Sequence, residues 1–142
     1  MKKHLSKFDI FSIFLFIFSF LIIYLILTKD GYLYASKTDF VTQHYLFPEY
    51  FRKLFYDTKD ILPDFAFNLG SGQNIYYFSY YGLLNPIILI SYLFPFIPMI
   101  DYMIISTSLI VIISTILFYF FLKKNNFNNK VCLITSLLFL FS

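Results

Sequence analysis

Four groups of residues in this chain have types and spacings that could do chemistry. Asp39 and Gln43 stand four apart, so a helix would put them on one face. A carboxylate beside an amide can hold an acceptor hydroxyl and take its proton. The same stretch reads as a capping box, Ser36-x-x-Asp39, with Asp39 reaching back to a helix N-terminus, and spacing alone favours that cap. Arg52 and Lys53 could fork onto a phosphate near lipid headgroups, although interfacial snorkelling is the commoner fate of such a pair. Gly70-Ser-Gly72 lacks a third glycine and a predicted strand before it, so it is expected to be a tight turn at positive φ. Tyr76, Tyr77, Tyr80 and Tyr81 suit an aromatic belt at a membrane interface or a surface on which sugar rings stack. His44 falls off the helical phase of Asp39 and receives no role. No Ser/His/Asp triad, metal-ligand spacing or phosphate loop occurs, and no metal or certain cofactor is expected.

Composition says where these residues must work. Of 142 residues, 59% are apolar and 13% charged, with a mean hydropathy of +0.72. Soluble domains run at about 45–50% apolar. A disordered chain, a nucleic-acid-binding domain and an ordinary soluble enzyme are excluded. Aromatic residues make up 24%, more apolar surface than a small soluble domain can bury. The chain belongs in a bilayer. Its net charge of +3 follows from position: Lys2, Lys3 and Lys7 precede the first apolar run, and Lys123, Lys124 and Lys130 follow the second. These are topology signals before they are a binding patch. Cys132 is alone, which rules out an intrachain disulfide.

Residues 10–28 form a charge-free run of 19, long enough at ~1.5 Å per residue to cross a ~30 Å hydrocarbon core. The run is too long for a signal peptide and no A-x-A-like site follows, so it is expected to be a retained span. Residues 102–122 form a second run of 21. Residues 131–142 begin a third, too short to cross, so the chain is expected to end inside a transmembrane helix. Residues 83–100 are interrupted by Pro86, Pro95 and Pro98, with Asn85 a good N-cap before Pro86. Both basic flanks fall inside only if this stretch does not cross, so it is expected to be interfacial or re-entrant.

The expected fold class is therefore an all-α integral membrane protein of a bacterial cell membrane, multi-pass, with a cytoplasmic N-terminus at residues 1–9. Helix 10–28 leads to an extracytoplasmic first loop, 29–101, and helix 102–122 returns to a cytoplasmic loop, 123–130. Phe40, Phe47, Phe51, Leu54 and Phe55 suit short helices of that first loop lying on the membrane. Asp101 marks a helix start. Ser108 and Thr115, seven apart, make a face of small hydroxylated residues suited to packing against helices of a larger partner.

The order of motifs resembles a family. Asp39, Gln43-x-Tyr45-x-Phe47, Phe67-x-x-Gly70-x-Gly72-x-Asn74, Tyr80-Tyr81-x-x-x-x-Pro86 and Phe94-Pro95 follow one another as in the amino-terminal region of the YfhO family of bacterial multi-span membrane proteins. The likeness covers about residues 10–122, and family members are several times longer. It implies the first part of a GT-C type glycosyltransferase, which takes a sugar from a polyprenyl-phosphate carrier and places it on a cell-envelope acceptor such as teichoic acid. It implies that Asp39 is the catalytic base and reverses the preference for a cap. Gln43, Asn74, Tyr80 and Tyr81 take supporting substrate-binding places, whereas Arg52 and Lys53 stand outside the matched pattern. Two other readings compete: a small non-catalytic membrane protein packed against a larger partner, and the product of a truncated gene without function.

Overall fold

The computed structural model describes residues 5–28 and 38–142. Ser36, and with it the capping box expected at Asp39, lies outside the described residues. The chain is mostly helical and divides into two compact units, one containing residues up to Tyr34 and from Thr107 onward, the other Ala35–Ser106.

The first unit holds α1 (Lys7–Thr28), α5 (Asn129–Leu140) and α4 (Met99–Lys124) from Thr107 on. α1 and α4 have mean hydropathies of 2.6 and 2.3 and are long and apolar enough to cross a membrane. Only 22% and 11% of those stretches are buried, whereas the core helix of a soluble protein is mostly buried. α1 starts three residues before the charge-free run because Ser6 and Asp9 cap it reciprocally. The Ser6 amide donates to Asp9 Oδ2 at 2.9 Å, and the Asp9 amide donates to Ser6 Oγ at 3.2 Å. α4 likewise exceeds the expected 102–122, with Asp101 in its first turn as the sequence suggests. α5 starts at Asn129 because Asn128 caps it, accepting from the Lys130 amide at 3.0 Å.

Each of these helices sends residues four apart into a common core: Ser12 and Phe16, Thr115 and Tyr119, Cys132 and Ser136, all 0% exposed. Phe16 meets Tyr119 edge-on at 5.7 Å. This corrects the expectation that Thr115 packs on a partner. Its side chain is buried within the chain, its hydroxyl bonded to the Val111 carbonyl at 2.9 Å. Small hydroxylated residues let backbones approach whichever helix is opposite.

The second unit is built around Phe51, Ala66, Ile75 and Leu83, with Phe47, Tyr50, Leu54, Leu69, Phe78 and Tyr81 packed on them. A π-helical turn (Phe40–His44) runs into α2 (Leu46–Thr58). Two short strands follow, β1 (Phe65–Ala66) and β2 (Gln73–Asn74), paired antiparallel with Phe65 opposite Asn74. The fold is mostly helical as expected, with this small hairpin added. It closes over Gly70, Ser71 and Gly72 at φ 54°, 69° and 98°, the expected positive-φ turn, and a Cβ on Gly72 would meet the Phe65 ring at 2.9 Å. A 3-10 helix (Ile75–Tyr81) then leads to α3 (Pro86–Ser91), which starts as the sequence indicates: Asn85 Oδ1 accepts from the Ile87 amide at 2.9 Å, with Pro86 in the first turn.

α2 differs from expectation in what its apolar face covers. Phe47, Phe51 and Leu54 belong to the unit's own core, and Phe55 stacks on Tyr92 at 4.9 Å. An amphipathic pattern shows that a face is buried without saying against what, and here protein supplies the cover.

Candidate functional site

Of the seven residues singled out in the sequence, Gln43, Tyr80 and Tyr81 come together in the Ala35–Ser106 unit, with Asp39 near enough to act on Tyr81 electrostatically. Asp39 stands at the N-terminal end of the π-helical turn and makes no side-chain cap to it. The turn is one residue wider than an α-helical one, the Tyr45 amide bonding to the Phe40 carbonyl at 3.2 Å. Such turns are rare and concentrate at functional sites. Asp39 and Gln43 both belong to this turn, and Tyr81 joins Gln43 there. Its hydroxyl donates to Gln43 Oε1 at 2.5 Å. The Tyr80 hydroxyl beside it, partial desolvation and the nearby Asp39 carboxylate all hold the Tyr81 phenol above its ordinary ionisation range.

Aromatic rings give this surface its floor. Phe78 stacks on Phe47 at 5.1 Å, Phe47 on Tyr81 at 4.2 Å and 11°, and Tyr80 lies over Tyr81 at 4.0 Å. The 3-10 helix explains the alignment, because residues three apart, Phe78 and Tyr81, eclipse one another. Gly82 ends that helix at φ 106°, where L side chains are strained. The stack is anchored in the core at one end and open at the other, where Tyr80 is 75% exposed. Phe47 also borders a groove of about 240 Å³ lined by Thr42, Leu46, Tyr50 and Leu69. His44, given no role from the sequence, meets Tyr81 edge-on at 5.9 Å. No local signal could have placed it there, since its partner lies 37 residues on.

The other three residues lie elsewhere in the unit. Asn74 accepts from the Tyr76 amide at 2.9 Å and caps the 3-10 helix. Arg52 is 5% exposed: its guanidinium donates to the Ile97 carbonyl at 2.9 Å and the Phe94 carbonyl at 3.4 Å, and pairs with Glu49 at 3.2 Å. That placement speaks against the phosphate role raised for Arg52, because the fork faces backbone carbonyls inside the protein. Lys53 is 70% exposed and sits 3.7 Å from Glu49, a surface pair of little energetic weight. Burial pushes the Tyr92 phenol up to about 12, with Arg52 partly offsetting the effect. Among the described residues no group of three or more His, Cys, Asp or Glu could hold a metal ion.

The arrangement combines a carboxylate, an amide held in a fixed orientation by a phenol, and a flat aromatic surface. It can bind a ring with an apolar face and accept a proton from a hydroxyl beside it. Comparison with family models, with curated proteins and with solved structures returns no match.

Proposed function

We propose that this chain is the amino-terminal part of a multi-pass bacterial membrane protein that transfers a sugar from a polyprenyl-phosphate carrier to a hydroxyl of a cell-envelope polymer such as teichoic acid. The observation that carries the reading is the contact of Gln43 with the Tyr80–Tyr81 stack, with the Asp39 carboxylate within electrostatic range of Tyr81. Two long apolar helices and the motif order resembling the YfhO family support it. In this reading α1 and α4 cross the membrane, with Lys7 and Lys123 to Lys130 at the cytoplasmic side and the Asp39 surface outside.

The chemistry is a single displacement. The acceptor oxygen bonds to the anomeric carbon as the bond from that carbon to the phosphate oxygen breaks. Polyprenyl phosphate leaves with the electron pair, Asp39 takes the hydroxyl proton, and the anomeric configuration inverts. The sugar ring lies on the open face of Tyr80. Gln43, its oxygen engaged by Tyr81, turns its amide nitrogen to a hydroxyl.

Membranes from cells with and without the gene for this chain, supplied in turn with radiolabelled hexosyl and N-acetylhexosaminyl polyprenyl phosphates, test the reading. The expected result is label in the envelope polymer that depends on the gene. Equal incorporation with and without it would reject glycosyl transfer.

A further inference from the structure

Residues 83–100 contain no Asp, Glu, Lys or Arg, and the structure leaves much of their apolar surface uncovered. Ile90, Leu93, Phe94 and Phe96 are 50%, 74%, 39% and 78% exposed. Ile90, Leu93 and Phe94 fall at helical spacing, because the turn continues past α3: the Leu93 amide bonds to the Ile90 carbonyl and the Phe94 amide to the Ser91 carbonyl. The Phe94 and Phe96 rings meet edge-on at 6.2 Å. On the other side of the same segment Ile88, Ser91 and Tyr92 are buried. A segment apolar on both sides, one packed and one open, needs a second apolar phase.

The segment is also held firmly. Arg52 donates to the carbonyls of Phe94 and Ile97, and the Tyr56 hydroxyl donates to that of Tyr92. The Tyr102 hydroxyl, in the first turns of α4, bonds to the Ile87 carbonyl at 2.7 Å. This elbow therefore lies against the beginning of the second long apolar helix, and the two share one compact unit. Where that helix enters a bilayer, the elbow meets the headgroup boundary.

We infer that Ile90, Leu93, Phe94 and Phe96 form a wedge that inserts into the outer acyl–headgroup boundary, with Arg52 as the residue that positions it. The occupant is lipid. Backbone carbonyls of a proline-broken turn are costly to bring near hydrocarbon unless a donor satisfies them, and the buried guanidinium supplies that donor. The wedge rests on the membrane reading of α4 and not on glycosyl transfer.

Nitroxide probes at Leu93→Cys and Phe96→Cys, in a Cys132→Ala background reconstituted into phosphatidylglycerol–phosphatidylethanolamine vesicles, test it. Phe67→Cys, on the hairpin and 77% exposed, is the aqueous reference. The expected result is that oxygen collides more, and a water-soluble nickel chelate less, at 93 and 96 than at 67, at a depth of about 5–10 Å. Adding Arg52→Met should make both depths shallower. Accessibility at 93 and 96 equal to that at 67 would overturn the wedge. Release of the whole chain from vesicles by alkaline carbonate would instead overturn the membrane reading beneath it.

Discussion

Asp39→Asn is expected to lower sugar transfer by about two to four orders of magnitude, the range over which a positioned general base acts. Asparagine keeps the size and polarity of the side chain but cannot take a proton. The residue is exposed, where substitutions of similar size and polarity are tolerated best. Turnover should fall while the apparent KM for the acceptor moves by less than about threefold, because an amide can still accept a hydrogen bond from the acceptor hydroxyl. Initial rates at saturating donor, with circular dichroism to confirm unchanged helicity, separate these effects. Near-normal turnover in the variant would remove Asp39 from the mechanism.

Asp9→Leu is expected to give the largest loss of stability. The Asp9 carboxylate is 5% exposed, yet it serves the helix cap through Oδ2 and receives the Tyr119 hydroxyl at 2.8 Å and the Lys123 ammonium through Oδ1. Ser12 lies beside this group, its hydroxyl bonded to the Phe8 carbonyl at 2.8 Å and 3.5 Å from that of Tyr119. Removing one partner of a buried pair leaves the other charge uncompensated, at a cost of about 3–5 kcal/mol. The Lys123 side chain keeps 26% of its exposure and can turn toward water, so a loss of about 2–3 kcal/mol is expected here. Asp9→Leu with Lys123→Met should recover more than half of it, because no charge then remains unpaired. Unfolding of α1, α4 and α5 in mixed detergent micelles, followed by helicity, measures both variants. A loss below about 0.5 kcal/mol for Asp9→Leu would show the pair to behave as a surface one.

What was legible in the sequence was mostly local. Hydropathy alone locates α1 and α4, because a run of about 20 apolar residues needs no tertiary information to be recognised. Asn85-Pro86 and Gly70-Ser71-Gly72 were legible for the same reason, each being a backbone conformation set by its own residues. The Ser6-x-x-Asp9 cap was there to be read but was obscured by beginning the helix where charge ends.

Contacts distant along the chain were not legible. Asp9 meets Lys123 across 114 residues, and Arg52 finds its acceptors 42 and 45 residues away on carbonyls that carry no side-chain signature. The basic residues were therefore read as topology and phosphate signals when two of them also hold the fold together. The site was half legible: Asp39, Gln43, Tyr80 and Tyr81 stood out by type and by family likeness. Their assembly depends on a π-helical turn and a Phe47–Tyr81 stack that no periodicity announces. Of the two segments that the sequence assigns to a membrane surface, α2 turns its apolar face onto the unit's own core, whereas residues 83–100 leave much of theirs uncovered.

The central claim is that the Asp39 surface is where a lipid-linked sugar sits, and photolabelling tests it most directly. A hexosyl polyprenyl phosphate bearing a diazirine on the sugar would be irradiated with the chain in native membranes, and the labelled peptides sequenced. The expected result is label within Phe40–His44 or Ile75–Tyr81, reduced by excess unlabelled polyprenyl phosphate sugar. Label spread over α1, α4 and α5 alone, and indifferent to that competitor, would contradict it.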